Sequence, residues 1–280
     1  MIKIFAVGDF HGKFPKKLKN EAKKCDLILS TGDYGGSDKL LKVVFKYFYT
    51  GWWKEVGDKL AKEYVMEDYN SGKKILQELN KLKIPVYTIH GNWDFENTKK
   101  KQRTAGLKLQ KYSEIIKSLN NIFFINKRIF NTGKIKLSGF GGNVTPLVYL
   151  SKSGGHSKRK RESYKRRYLK EEAQLFRTFK KRKDIDIFLA HYPPEGYFDV
   201  VNFKGENPMN GKHVGFKPYT NYIKKYQPEL FICGHMHEYQ GMKKLGNTLI
   251  VATGSAKEGK AVIIDFDEKI KKVKRVRFIK

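Results

Sequence analysis

The sequence predicts an α/β fold, and three observations carry that reading. Short apolar runs that end in Gly with Asp, or in His, recur along the chain, and helical stretches separate several of them. Hydrophobic residues make up 40% and aromatic residues 14% of 280 positions, enough apolar matter for one large domain with a continuous core.

The strands are read in chain order as Ile2 to Val7, Leu27 to Ser30, Val86 to Ile89, Ile122 to Ile125, Ile135 to Phe140, Ile185 to Ala190, Leu230 to Cys233, Thr248 to Thr253 and Ala261 to Phe266. Each has an ordinary strand length. Between the second and third strands, Lys39 to Lys83 has a helical pattern interrupted at Gly51, Gly57 and Ser71-Gly72, which reads as a helical insertion of two or three pieces and a candidate lid. From His156 to Lys183 a basic segment places Leu169, Ala173, Phe176 and Phe179 at helical spacing, so that stripe is expected to face the core. Gly141 to Gly155 and Pro193 to Pro218 are rich in Gly, Pro and Asn and read as long loops, which in compact domains are usually functional or mobile. No internal repeat or linker divides the chain, so a single domain over residues 1–280 is expected.

No apolar stretch approaches the roughly 20 residues of a membrane span, and the opening MIKIFAVGDF lacks the long apolar core of a secretion signal, so no membrane partner and a cytoplasmic location are expected. Cys25 and Cys233 lie in apolar runs without metal-ligand spacing and read as small core residues of a reducing compartment. Lys and Arg number 58 against 28 Asp and Glu, a formal net charge of +30. Such an excess favours association with polyanions, although lysine enrichment on solvated faces explains it equally well.

Five short motifs sit at strand ends: GDFHG with Asp9 and His11, GDYGG with Asp33, HGNWD with Asn92, AHYPP with His191, and CGHMHE with His235 and His237. Taken singly, an Asp after a strand caps a helix, and a lone His is a satisfied core or surface residue. Together they form a set of carboxylate oxygens and neutral imidazole nitrogens that suits Mn, Fe, Zn or Ni better than Ca. On an extended segment alternate residues point the same way, so Asp9 with His11, and His235 with His237, can each converge on one point. Glycine beside nearly every candidate ligand lets the loops approach closely.

With these motifs in this order, the sequence resembles the calcineurin-like metallophosphoesterases, from Ile2 to about Phe266, and within them it is similar to archaeal-type phosphoesterases related to cyclic-nucleotide phosphodiesterases. Matching stretches include GFGGN (Gly139 to Asn143), HVGFKPY (His213 to Tyr219) and CGHMHEYQG (Cys233 to Gly241). The resemblance implies a four-layer α/β/β/α sandwich of two mixed sheets flanked by helices. It further implies two divalent metal ions, one held by Asp9, His11, Asp33 and His237 and the other by Asp33, Asn92, His191 and His235, with Asp33 bridging. Asp9, Asp33, Asn92 and His191 would be the catalytic core, with the ions acidifying a bridging water and hydrolysing a phosphate ester.

One position departs from the family, in which the GN motif usually continues with a His that orients phosphate and protonates the leaving group. Here it is Trp93, which cannot shuttle a proton, so general-acid help of roughly 10²–10⁴-fold is expected to be missing. Phosphodiesters with good leaving groups are therefore the expected substrates. Trp93, His213, Tyr192 and Asn143 are candidate substrate contacts, and Asp94 reads as a cap or loop anchor. Two other readings stand beside the enzyme: a metal-binding scaffold with weak or no turnover, motivated by Trp93, and a nuclease or regulator bound to nucleic acid, motivated by charge. For the latter the candidate contacts are Arg159, Lys160, Arg161, Arg166 and Arg167, with Tyr164 and Tyr168 available for stacking. The C-terminal run from Lys269 to Lys280 reads either as a second basic contact or as an edge strand with a wet face. The oligomeric state is not legible in the sequence.

Overall fold

A computed structural model describes the chain except residues 48–49, 97–100, 180–183 and 204–206 and the side chains of residues 101–102. Its elements run β1 (Ile2–Val7), α1 (Lys16–Ala22), β2 (Leu27–Ser30), α2 (Asp38–Lys46), α3 (Trp52–Glu55), α4 (Asp58–Lys81), β3 (Val86–Thr88), α5 (Lys101–Thr104), α6 (Tyr112–Ile116), β4 (Ile122–Phe124), β5 (Arg128–Asn131) and β6 (Lys136–Phe140). There follow α7 (Lys158–Phe179), β7 (Ile187–Ala190), α8 (Lys217–Tyr226), β8 (Leu230–Cys233), β9 (Gln240–Leu245), β10 (Thr248–Thr253), β11 (Ala261–Asp267) and β12 (Lys272–Ile279).

Among the described residues the strands form two six-stranded sheets, β12-β11-β1-β2-β3-β4 and β5-β6-β7-β8-β10-β9. Both are mixed. In the first, β1 to β4 are parallel and β11 and β12 antiparallel to their neighbours. In the second, β6, β7, β8 and β10 are parallel and β5 and β9 antiparallel.

Strand alternation builds the layers, because successive side chains point to opposite faces. Ile4 and Ala6 of β1 pack with Ile187, Leu189, Leu230 and Ile232 in a core between the sheets. Their neighbours Phe5 and Val7 face outward against Ala61, Val65, Ile75 and Leu79 of α4. On the far side Phe188 and Phe231 stack with ring centroids 5.2 Å apart and meet Leu175 and Phe179 of α7 and Tyr219 and Tyr222 of α8. Three apolar cores separating helix, sheet, sheet and helix make the four-layer sandwich. Among the described residues no helix is long and apolar enough to cross a membrane.

Several elements differ from the sequence reading. The helical insertion contains α2, α3 and the 24-residue α4, and α4 buries a stripe from Ala61 to Leu79, so it is a core helix rather than a lid. The face of α7 meets its expectation in part, with Phe179 buried and Phe176 packed against the core, and is rotated at its other two members. Leu169 is 52% exposed and Ala173 is exposed, while Leu175 and Phe179 are buried. Tyr164 packs on Tyr149 and His156, and Tyr168 on Phe216, so the two half-buried tyrosines continue the stripe of Leu175 and Phe179. Lys180, Lys181, Arg182 and Lys183 of the basic segment lie outside the described residues. Within the expected loops, Leu147–Leu150 and Lys152–Gly154 are short 3-10 turns, and Pro218 stands in the first turn of α8, where its missing N–H costs no helical bond. The C-terminal run is the edge strand β12, with Val273, Val276 and Phe278 against the inter-sheet core.

The rotated α7 face has a measurable consequence. Leu175→Ala is expected to lower unfolding free energy by about 2–5 kcal/mol, the range for truncating a buried leucine, and Leu169→Ala to change it by less than about 0.5 kcal/mol, as at an open surface. Urea unfolding of the two variants decides, and equal losses would refute the assigned face.

Candidate metal centre

The predicted ligands follow the carboxyl ends of neighbouring parallel strands in both sheets: Asp9 and His11 after β1, Asp33 after β2, Asn92 after β3, His191 after β7, and His235 and His237 after β8. The strands end side by side, so the five loops meet between the sheets. The backbone there is held in a sparsely populated conformation, with positive φ at Asp9 (53°), His11 (41°), Asp33 (57°) and His235 (68°). Four non-glycine residues in left-handed backbone at one place mark strain that the surrounding fold must hold.

Hydrogen bonds stitch the loops together. The N–H groups of Phe10 and His11 donate to the Asp33 carbonyl at 2.8 and 3.1 Å, and that of Asp9 donates to the Gly32 carbonyl at 2.9 Å. Asp94 is the loop anchor expected of it: its Oδ2 accepts from the Asp33 and Gly91 amides at 2.9 and 2.7 Å, and its Oδ1 from the Tyr34 amide at 2.8 Å. Between the sheets, the His235 amide donates to both Asp9 oxygens at 3.1 and 3.0 Å, and His191 Nδ1 donates to the Thr31 carbonyl at 2.9 Å. Two glycines are required by closeness alone. A Cβ on Gly91 would sit 2.0 Å from Asp33 Oδ1, and one on Gly234 would sit 2.4 Å from Asp9 Oδ2.

Two sets of ligand atoms converge. Asp9, His11 and His237 place one atom each within 4.8 Å of one another, and so do Asp9, Asp33 and His191. Asp33 Oδ2 lies 3.8 Å from His11 Nε2 and 3.5 Å from His191 Nε2, so it reaches one histidine of each set. Asn92 joins through its Oδ1, 2.7 Å from His191 Nε2. His235 belongs to neither set of three. Its ring is stacked on Tyr192 at 3.8 Å between centroids and lies 5.1 Å from the His191 ring.

The donor chemistry fits cations. Asp9, Asp33 and His191 are 1%, 2% and 0% exposed, and two buried carboxylates cannot both ionise cheaply without positive charge beside them. Burial, and then the charge of Asp9, pushes the Asp33 carboxyl up to about 8. Burial also works against ionised Asp9, but the hydrogen bond and charge of His237 outweigh it and hold that carboxyl low. Burial, followed by the charge of His237, pushes His11 down to about 3, and burial also lowers His191 and His235, so these rings are neutral at pH 7. With Nδ1–H given to Thr31, neutral His191 turns its Nε2 lone pair toward the Asn92 amide 2.7 Å away, so both can face one cation. His11 likewise gives Nδ1–H to the Gly35 carbonyl at 3.2 Å and faces His237 Nε2 at 3.0 Å. Any proton on that nitrogen is shared with Asp9 Oδ1, 3.4 Å away. The backbone carbonyls that fix the far nitrogens of His11 and His191 are the support that metal-ligating imidazoles ordinarily have.

The other predicted contacts are distributed differently. Tyr192 is at the site, under His235. Trp93 turns inward, its indole N–H donating to Asp68 Oδ1 at 3.0 Å, and so it does not present that donor to a substrate. The His213 side chain is 60% exposed and tied to Asp199 at 2.9 Å. Asn143 is exposed, and its carbonyl accepts from Arg167. Of the five basic positions on α7, Arg159, Lys160 and Arg166 are exposed. Arg161 is held by the His156 carbonyl, and Arg167 by Glu171 and Asn143. Asp68 and Arg103 escaped the sequence reading. Asp68 carried a legible signal, because it falls on the stripe Ala61, Val65, Asp68, Gly72, Ile75 and Leu79 of α4 as its one charged member.

A two-sheet sandwich that gathers buried carboxylates and imidazoles at the strand ends forms a candidate metal centre. Residues 1–277 match the model of the family described as metallophosphoesterase, calcineurin superfamily, and the chain belongs to that family of divalent-metal phosphoester hydrolases. The uncharacterized protein MJ1162 of Methanocaldococcus jannaschii is 23% identical over 257 residues, 89% of this chain and 87% of its own length. One crystal structure superposes with a TM-score of 0.62 at 20% identity, covering 99% of this chain and 97% of its own. TT1561 of Thermus thermophilus superposes at 0.53 with 15% identity, covering 99% of this chain and 97% of its own. At these identities the structures share the fold.

Because burial and the charge of Asp9 push the Asp33 carboxyl up, cation uptake there is expected to be coupled to proton release. Calorimetric titration with Mn at pH 7 in buffers of different ionisation enthalpy is expected to show net proton release, from Asp33 and from His237, whose hydrogen bond to Asp9 raises it, and a smaller release in Asp33→Asn. Proton-neutral binding by the wild type would contradict the arrangement.

Proposed function

We propose that the chain hydrolyses phosphodiesters with acidic leaving groups, using two divalent cations drawn from Mn, Fe, Zn or Ni. The observation that carries this reading is the pair of converging ligand sets joined through Asp9 and Asp33. Asp9, His11, Asp33 and His237 would hold one ion, and Asp33, Asn92, His191 and His235 the other. Bound there, the ions would supply Lewis acidity, withdrawing charge from the phosphoryl group and acidifying water. Asn92 adds a neutral ligand without further negative charge. Neutral His191 and His235 offer lone pairs in a buried setting that keeps charge interactions strong.

The leaving-group preference is supported by Trp93. Indole has one N–H and no titratable proton, and that N–H is already given to Asp68, so it can neither protonate a leaving alkoxide nor reach toward phosphate. A diester whose leaving group departs as a stable anion needs neither. The exposed Arg159, Lys160 and Arg166 on α7, within a net charge of +30, favour polyanionic diesters as a class to be tested.

Turnover of an activated aryl phosphodiester with added Mn is expected, abolished by chelator and by Asp33→Ala. Alkyl monoesters should be poor substrates. A metal-loaded protein without turnover on any phosphoester would instead support the scaffold reading. Efficient alkyl monoester hydrolysis by the wild type would refute the leaving-group assignment. An oligonucleotide binding series in salt tests α7: a steep loss of affinity with salt, flattened by changing Arg159, Lys160 and Arg166 to Gln, is the expected result.

A further inference from the structure

We propose that Trp93, backed by Asp68 and Arg103, is a positioning unit that sets the orientation of the Asp33 carboxylate, with Asp33 a metal ligand as proposed above. The Trp93 backbone N–H donates to Asp33 Oδ1 at 2.7 Å. That bond fixes one oxygen and leaves Oδ2 between His11 and His191, at 3.8 and 3.5 Å from their Nε2 atoms. A carboxylate free to rotate would exchange its two oxygens and lose that placement.

The Trp93 backbone is itself held from behind. Its indole N–H donates to Asp68 Oδ1 at 3.0 Å, and Asp68 Oδ2 takes Arg103 Nη2 at 2.7 Å. The same Arg103 nitrogen donates to the Trp93 carbonyl, and the guanidinium lies 4.8 Å from the Trp93 ring centroid and 3.7 Å from that of Phe95. Trp93 is therefore gripped at its ring edge, its ring face and its carbonyl, while its amide holds Asp33.

Asp68 is fully buried and Arg103 nearly so, with 16% of its side chain exposed. A buried ion pair contributes little net stability, because desolvation offsets its attraction, and apolar residues of similar size would usually serve a core as well. In α4 the charge interrupts an otherwise uncharged buried stripe. Positioning explains what stability does not. The next turn supports the same role for the helix: Ser71 Oγ accepts the Gly36 amide at 2.9 Å, beside the Gly35 carbonyl that takes His11 Nδ1–H. One stretch of α4 thus stands behind two ligands, Asp33 through Trp93 and His11 through the Gly35–Gly36 backbone.

The test uses the full chain loaded with Co(II), whose visible absorption reports ligand geometry, and calorimetric Co(II) affinity. Trp93→Phe keeps the ring and removes the N–H; Asp68→Asn keeps the shape and removes the charge. Each is expected to weaken Co(II) binding about 10–100-fold, as lost support behind a ligand ordinarily does, and to change the absorption spectrum. The double variant should be no weaker than the worse single, since both break one chain of contacts. Wild-type affinity and spectrum in both variants would overturn the proposal. So would reduced thermal stability with an unchanged spectrum, the signature of a merely structural role. If Asp68→Asn does not fold, Trp93→Phe, which keeps the ion pair, decides alone. Asp33→Asn separates the premise: unchanged affinity there refutes Asp33 as a ligand, whereas weakened binding there with intact binding in the other two refutes only the positioning unit.

Discussion

Two carboxylates, Asp9 and Asp33, are buried within reach of each other, and the structure around them is organised by that electrostatic conflict. In an apolar interior like charges at this range are tolerated only by giving up a proton's worth of ionisation or by acquiring cations. The first course is visible in the push of burial and Asp9 on the Asp33 carboxyl, which raises it, while Asp9 leans on His237. The imidazoles of His11 and His191, lowered by burial and oriented by backbone carbonyls, are arranged for the second.

That conflict explains why the site lies where two sheets meet. One sheet supplies Asp9, His11, Asp33 and Asn92 from adjacent parallel strands; the other supplies His191, His235 and His237. Neither sheet alone carries both the acids and enough histidines. The bonds from the His235 amide to Asp9 and from His191 to the Thr31 carbonyl fasten one half to the other. The left-handed backbone at Asp9, His11, Asp33 and His235 is tolerated because these bonds over-determine it. The sandwich therefore serves as a rigid frame for a site whose own loops are strained, and α4 extends that frame one layer further out.

The parts legible in the sequence were those with a strong local pattern. Buried strands such as Ile2–Val7 and Leu230–Cys233 are continuous apolar runs, and their ends carry the Gly-Asp and Gly-His signals of the site. The strands Arg128–Asn131 and Gln240–Leu245 escaped because they are edges, paired on one side and wet on the other, so no apolar run marks them. On α7 the buried face was misjudged because Tyr164 and Tyr168, amphipathic residues in a basic stretch, were read as surface groups when they extend the stripe of Leu175 and Phe179. Trp93 shows the limit most clearly. Its identity announces that the usual proton donor is missing, yet only the fold shows its ring turned away from the cleft toward a carboxylate on a distant helix.

The central claim, that paired acids and histidines from two sheets hold two cations about Asp33, is tested most directly by anomalous diffraction from crystals grown with Mn. Two anomalous peaks flanking the Asp33 carboxylate are expected, one against Asp9, His11 and His237 and the other against Asn92, His191 and His235. A single peak, or none at Asp33, would contradict the account.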